Sequence, residues 1–178
     1  MSLEDIKRLR EMTSLGVNEC KKALSESGGD FDKALKLLKG RGSLVLEKKS
    51  SRSTSQGRID SYVHFSGNLG VLVEVNCETD FVARAEVFKQ FVKDVAMQIA
   101  AANPLYLSRE DINKEVLDRT ENIEEYTKQH CLLEQPFIKD VKISIGDYLR
   151  EVVSKTGENV VIKRFARFSL EDNNESQV

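Results

Sequence analysis

The side chains best suited to nucleophilic or metal chemistry are few: Cys20, Cys77, Cys131, His64 and His130. Cysteine and imidazole ligands build a zinc site when they stand at close spacing, and here the cysteines lie in three separate regions with no C-x-x-C among them. No metal site is expected. His64 falls on the polar side of an alternating segment, with no acid or nucleophile beside it, and reads as a solvated strand residue. Phosphate chemistry is equally unsupported. Neither G-x-x-x-x-G-K-S/T nor G-x-G-x-x-G occurs, so the chain is not expected to bind a nucleotide itself. G-x-S-x-G and H-E-x-x-H are absent too. Lys155-Thr156-Gly157 matches the K-T-G of penicillin-interacting serine enzymes, but the S-x-x-K partner occurs nowhere. A helix ending on Lys and then Gly explains those three residues better. The chain reads as a non-enzyme without a cofactor.

The informative stretch is Asn76-Cys77-Glu78-Thr79-Asp80-Phe81-Val82-Ala83-Arg84. A strand ends there, Thr79 can N-cap a helical turn, and Asp80 falls in the first turn, where negative charge suits the helix dipole. Phe81 follows directly. On a tight strand-to-helix turn its ring can plug the core or point outward as a wedge. Large apolar residues usually go inside, which leans toward the plug. An outward Phe on a rigid turn would insert well into a partner, because it has only two torsions to order.

Residues 1–42 carry three short amphipathic stripes. Leu3, Ile6, Leu9 and Met12 form the first, which Thr13-Ser14-Leu15-Gly16 interrupts. Val17, Cys20, Ala23 and Leu24 form the second, ended by Ser27-Gly28-Gly29. Asp30 can cap the third, where Phe31, Ala34, Leu35 and Leu38 share a face, closed by Gly40 and Gly42. Residues 43–58 form a Ser-rich basic linker, with helix possible as far as Lys49. With Arg41 just before it, the stretch carries Arg41, Lys48, Lys49, Arg52 and Arg58 against Glu47. An RNA-binding patch is the competing reading, and the missing interleaved aromatics favour the linker.

Residues 59–170 read as an α+β core with an antiparallel sheet packed on helices. Ile59 to Phe65 alternates, Ser66-Gly67-Asn68 is turn chemistry, and Val71, Val73, Val75 and Cys77 alternate again: a hairpin. Phe88, Phe91, Val92, Val95, Ala96 and Ile99 predict a strong helix over 84–102, ended by Asn103-Pro104. Residues 108–130 read as a charged, lightly packed helical protrusion opened by Ser108 and Asp111. Phe137 to Ile143 reads as a connection, and Val141 to Val152 as a strand or turn leading into a helix. Glu158 to Leu170 is the last strand, with Val160, Ile162, Ala166 and Phe168 on one face and Lys163, Phe165 and Arg167 on the other. The polar tail 171–178 reads as disordered.

The chain has 178 residues, 40% apolar and 31% charged, with a net charge of −2. These values suit a soluble globular protein, and no apolar run is long enough to span a membrane. The charge balance speaks against direct nucleic-acid binding. Met1 to Arg10 is charged and lacks an apolar signal core, and three scattered thiols read as reduced; a cytoplasmic protein is expected, with a processed organellar form as the alternative.

Four stretches, in order, resemble the translation elongation factor Ts family, the guanine-nucleotide exchange factors of elongation factor Tu. They are Leu9 to Leu24, Gly70 to Arg84, Leu133-Glu134-Gln135-Pro136-Phe137, and Gly157 to Phe165. The resemblance implies a ubiquitin-associated-like three-helix module that docks on the partner's GTPase domain through Arg10, Val17, Asn18 and Lys21. Asn18 stands where the family pattern implies a second hydrophobic residue. It further implies that Asp80 and Phe81 act at the phosphate and magnesium side of elongation factor Tu, that GDP then leaves, and that Gly157, Glu158 and Asn159 add contacts. Short members of the family act as homodimers, so a homodimer is implied, with Phe165 and Phe168 as candidate interface residues. The interval from Pro104 to Pro136 is shorter than the helical hairpin the resemblance implies.

Overall fold

A computed structural model describes residues 2–13, 16–38 and 51–171. The expectations for Ser14 and Leu15, for Gly40 to Ser50 and for the tail beyond Glu171 lie outside the described residues.

Helices α1 (Leu3–Thr13), α2 (Val17–Glu26) and α3 (31–38) form the N-terminal module. Most of their stripes meet: Ile6, Leu9, Cys20, Ala23, Leu24, Ala34 and Leu38 make one buried cluster, with Phe31 and Leu35 against it, whereas Leu3, Met12 and Val17, expected on the same faces, are exposed. Gly28 and Gly29 turn the chain between α2 and α3 at φ 65° and 89°, left-handed backbone that glycine enters without a Cβ clash. Asp30 then accepts the Lys33 N–H at 3.0 Å. That bond holds its carboxyl below the usual range.

Among the described residues five strands follow: β1 (Gln56–Val63), β2 (Leu69–Cys77), β3 (Pro136–Phe137), β4 (Asp140–Ser144) and β5 (Val160–Ser169). β1, β2 and β5 form an antiparallel sheet in that order, and β3 and β4 pair as a small hairpin where a plain connection was expected. The sheet packs on helices, which is the α+β architecture read from the sequence. Central strand β2 buries Val71, Val73, Val75 and Cys77. Against them lie Phe88, Phe91, Val92, Val95, Ala96 and Ile99, all on one helix. Each phenyl ring buried there stabilises the fold by roughly 2–3 kcal/mol.

The helix expected over 84–102 is α5 (Glu86–Ala102), and the turn that Thr79 was expected to cap is a separate short helix, α4 (Asp80–Arg84). Ala85 separates them with extended backbone, φ −66° and ψ 140°. α5 stops at Asn103 in left-handed backbone just before Pro104. The expected protrusion is three short pieces: a 3-10 turn (Arg109–Asp111), α6 (Lys114–Arg119) and α7 (Ile123–His130). Each has its own cap, from Ser108 with Asp111, from Asn113 and from Asn122, so polar capping residues cut the helix repeatedly. Ile112, Cys131 and Leu132 are buried, so this stretch also packs. α8 (Ile145–Thr156) opens on a Ser144–Asp147 capping box and ends at Gly157, φ 76°, as the Lys155-Thr156-Gly157 reading anticipated. The motif around Pro136 has a structural role. Buried Gln98 donates to Gln135 and to the Pro136 carbonyl, each at 3.2 Å, and accepts the Ile138 N–H at 2.9 Å.

Two strand faces depart from expectation. β1 starts at Gln56, inside the stretch read as linker, and turns Arg58, Asp60 and Tyr62 toward the helices while Ile59 and Val63 face outward. Gly57 permits this entry: a Cβ there would lie 2.7 Å from the Asn76 Cα. On β5, Val75 pairs with Ile162 but Glu74 pairs with Arg164, so Lys163 is an extra residue. One extra residue reverses the alternation. Val160 and Ile162 point inward, whereas beyond the bulge Phe165 takes the inner side and Ala166 and Phe168 turn out. Val63, Gly70 and Phe168 therefore form one row across the outer face, and Ser61, Leu72 and Ala166 the next.

Candidate functional site

β2 runs straight into the turn that carries Phe81. Thr79 has extended backbone, and its hydroxyl oxygen accepts the Val82 N–H at 3.4 Å as the N-cap of α4. Val82 and Ala83 pack against the core cluster. With those two facing inward, Phe81 faces out and is 81% exposed. Of the two orientations open in the sequence, the ring takes the outward one. Asp80 lies beside it and pairs with Arg84 at 3.0 Å. Both are solvated, so that ion pair adds little stability.

Residues distant in sequence hold the turn from behind. One Glu158 carboxylate oxygen accepts the N–H groups of Glu78 and Thr79 at 3.2 and 3.0 Å, and the other accepts the Thr79 hydroxyl at 2.6 Å. Glu78 accepts the Asn159 N–H at 2.6 Å and the Arg52 guanidinium at 3.4 Å. The Asn159 side chain donates to the Arg52 carbonyl at 3.0 Å. The Cys77 thiol donates to the Thr79 carbonyl at 3.1 Å. Its burial first, and the nearby charge of Glu158 second, push its pKa up, so it stays a thiol.

The structure thus brings Asp80 and Phe81 together with Glu158 and Asn159. Gly157 is exposed, Glu158 is half-buried with its carboxylate engaged inside the molecule, and Asn159 is buried. Sequence reasoning missed Glu78 and Arg52 as members of this group. The only signal for them was the position of Glu78 at a strand end opposite a turn whose partner could not be known.

Arg10, Val17, Asn18 and Lys21 belong to the N-terminal module and are all exposed. Val17, Asn18 and Lys21 share one side of α2 by helical spacing, and Val17 is 47% exposed. A cleft of about 900 Å³ lies elsewhere, between α7, α8 and the start of β5, with Leu133, Leu149, Val153 and Val161 among its walls. Glu134 lines it, and its pKa is raised by burial and then by the neighbouring Glu110 charge. Among the described residues no group of three or more His, Cys, Asp or Glu could hold a metal ion, and no helix is long and apolar enough to cross a membrane.

Fold and site together define a class: an α+β protein with a small helical module that presents an aromatic side chain on a capped, internally braced turn. The family described as elongation factor Ts matches residues 17–129. The elongation factor Ts of Rubrobacter xylanophilus is 46% identical over 94% of this chain and 98% of that protein. Those of Thermotoga petrophila and Caldanaerobacter subterraneus are each 44% identical, over 96% and 94% of this chain and 96% of either protein. The chain belongs to the elongation factor Ts family.

Proposed function

We propose that this chain is a guanine-nucleotide exchange factor of translation elongation, acting in the cytoplasm, that binds elongation factor Tu carrying GDP and inserts Phe81 near the phosphate and magnesium side. The observation that carries this reading is the exposed Phe81 ring on a turn whose backbone is fixed on both sides. A turn so held has little backbone entropy left to lose on insertion, and the ring has only two torsions to order. Insertion displaces the groups that coordinate the ion and the β-phosphate, so the factor binds the nucleotide-free partner better than the GDP form. By linkage each ligand then weakens the other. Asp80 flanks the ring at the contact.

Arg10, Val17, Asn18 and Lys21 supply docking on the GTPase domain, with Val17 as the apolar element and the two cations at its edge. The factor itself works as a homodimer. Val63, Leu72 and Phe168 form an apolar band on the outer sheet face, 68%, 50% and 68% exposed, and such a patch suits a self-complementary interface. Phe165, the other residue considered for that interface, packs on the inner side instead.

The test is release of a fluorescent GDP analogue from elongation factor Tu by this protein and by its Phe81→Ala variant. Fast release by the wild type and a loss of at least about tenfold in the variant, the scale of one well-placed interaction, support both parts. Equal rates demote Phe81, and no acceleration by folded wild type sinks the exchange role.

A further inference from the structure

Glu78 and Glu158 form a reciprocal clasp. Each carboxylate accepts a backbone N–H from the segment of the other: Glu158 from Glu78 and Thr79, and Glu78 from Asn159. Hydrogen bonds to a carboxylate are the strong kind. The clasp also sets the direction of the cap. A threonine hydroxyl has one proton, and here it goes to Glu158 at 2.6 Å, so the oxygen lone pair is left for the Val82 N–H. The residues on either side of Phe81 are thereby fixed by one side chain delivered from the α8–β5 turn. Arg52 closes the ring of contacts, with its guanidinium on Glu78 and its carbonyl on the Asn159 amide.

We infer that Glu158 and Glu78 are positioning residues of the exchange reaction: they hold the Phe81 turn in its outward form before the partner arrives, and act through Phe81 without touching the partner. This rests on the wedge reading above. Both Glu158 oxygens are engaged inside the molecule and Asn159 is 5% exposed, which suits bracing and not contact. A preordered turn lowers the barrier at the inserted state and leaves initial docking by the N-terminal module unchanged. Loss of the clasp should therefore appear in the maximal rate of GDP release and not in the concentration that half-saturates it.

The experiment measures GDP release from elongation factor Tu against factor concentration for wild type, Phe81→Ala, Glu158→Ala, Glu158→Gln and the Phe81→Ala/Glu158→Ala double variant. Amide hydrogen exchange of each free protein is recorded alongside. Glu158→Ala is expected to lower the maximal rate about tenfold, with half-saturation unchanged, and Glu158→Gln to recover part of the loss. The double variant should be no slower than Phe81→Ala alone, since a residue that acts only through Phe81 has nothing left to act on. In Glu158→Ala the amides of 78–82 should exchange faster while those of 71–75 in β2 keep their protection, which shows that the sheet stays folded.

A full maximal rate in Glu158→Ala, a shift confined to half-saturation, an additive double variant, or unchanged exchange at 78–82 each overturns the inference. A Phe81→Ala variant as fast as wild type overturns the wedge reading and, with it, the role of the clasp in exchange. That outcome is told apart from failure of the clasp alone, in which Phe81→Ala is slow and Glu158→Ala is not.

Discussion

The Thr79 hydroxyl meets the Glu158 carboxylate at 2.6 Å across a separation of 79 residues. This bond joins the end of one strand to the start of another and makes the turn between β2 and α4 a tertiary feature. Thr79→Ala removes both the cap on Val82 and one of the three donors to the half-buried Glu158 carboxylate, which keeps the two backbone N–H groups. Cap loss costs about 1 kcal/mol and the lost hydroxyl bond to the carboxylate adds to it, so a total of roughly 1–2 kcal/mol is expected. Thr79→Ser keeps the hydroxyl and should retain most of that stability. Urea unfolding of the two variants checks the difference, and equal midpoints would remove Thr79 from the brace.

Phe81→Ala should leave stability within about 0.5 kcal/mol of wild type, because a solvated ring has no packing to lose. Phe88→Ala, whose ring is fully buried in the same region, should lose about 3–5 kcal/mol. Thermal unfolding of both separates a surface wedge from a core plug. A large drop in Phe81→Ala would mean that the ring is buried in solution.

The sequence carried the helices of the N-terminal module and the inner face of β2, because periodicity in apolar residues reports burial directly. It also carried the Thr79 cap, the stop at Asn103 and the Gly157 end of α8, which are local chemistry. It could not carry the orientation of Phe81, since residue type favours the interior and only the inward packing of Val82 and Ala83 turns the ring out. The faces of Ala166 and Phe168 were misread because a single extra residue at Lys163 reverses every later side chain, and nothing in that composition marks a bulge. The Glu78–Glu158 clasp is long-range, so no local pattern announces it.

Phe168→Asp should convert the proposed homodimer to monomer. The residue sits in the same row as Val63 and Gly70 on the outer sheet face, where a second copy would bury it. A carboxylate there would have to be desolvated in the interface, at several kcal/mol, whereas in a monomer it stays in water. Sedimentation velocity at micromolar concentration reads the change. A wild type that sediments as a monomer removes the interface altogether, and a Phe168→Asp protein that remains dimeric moves it to another surface.

Glu134→Gln should stabilise the protein at neutral pH and do nothing at low pH. Burial is the main reason its carboxyl pKa is raised above the ordinary 4.5, with Glu110 adding to the shift and Arg150 and Arg109 opposing it. The folded state therefore holds the proton more tightly than the unfolded chain. Below 4.5 both states are protonated and the group favours the folded state fully; as pH rises through the raised folded value, that advantage is lost and the charged carboxylate becomes a burden. Glutamine is neutral throughout and removes the penalty. The melting temperature of Glu134→Gln should exceed that of wild type at pH 7, and the gap should close as pH falls toward 4.5. A gap that persists unchanged into acid would assign the gain to hydrogen bonding by the amide and not to the half-buried charge.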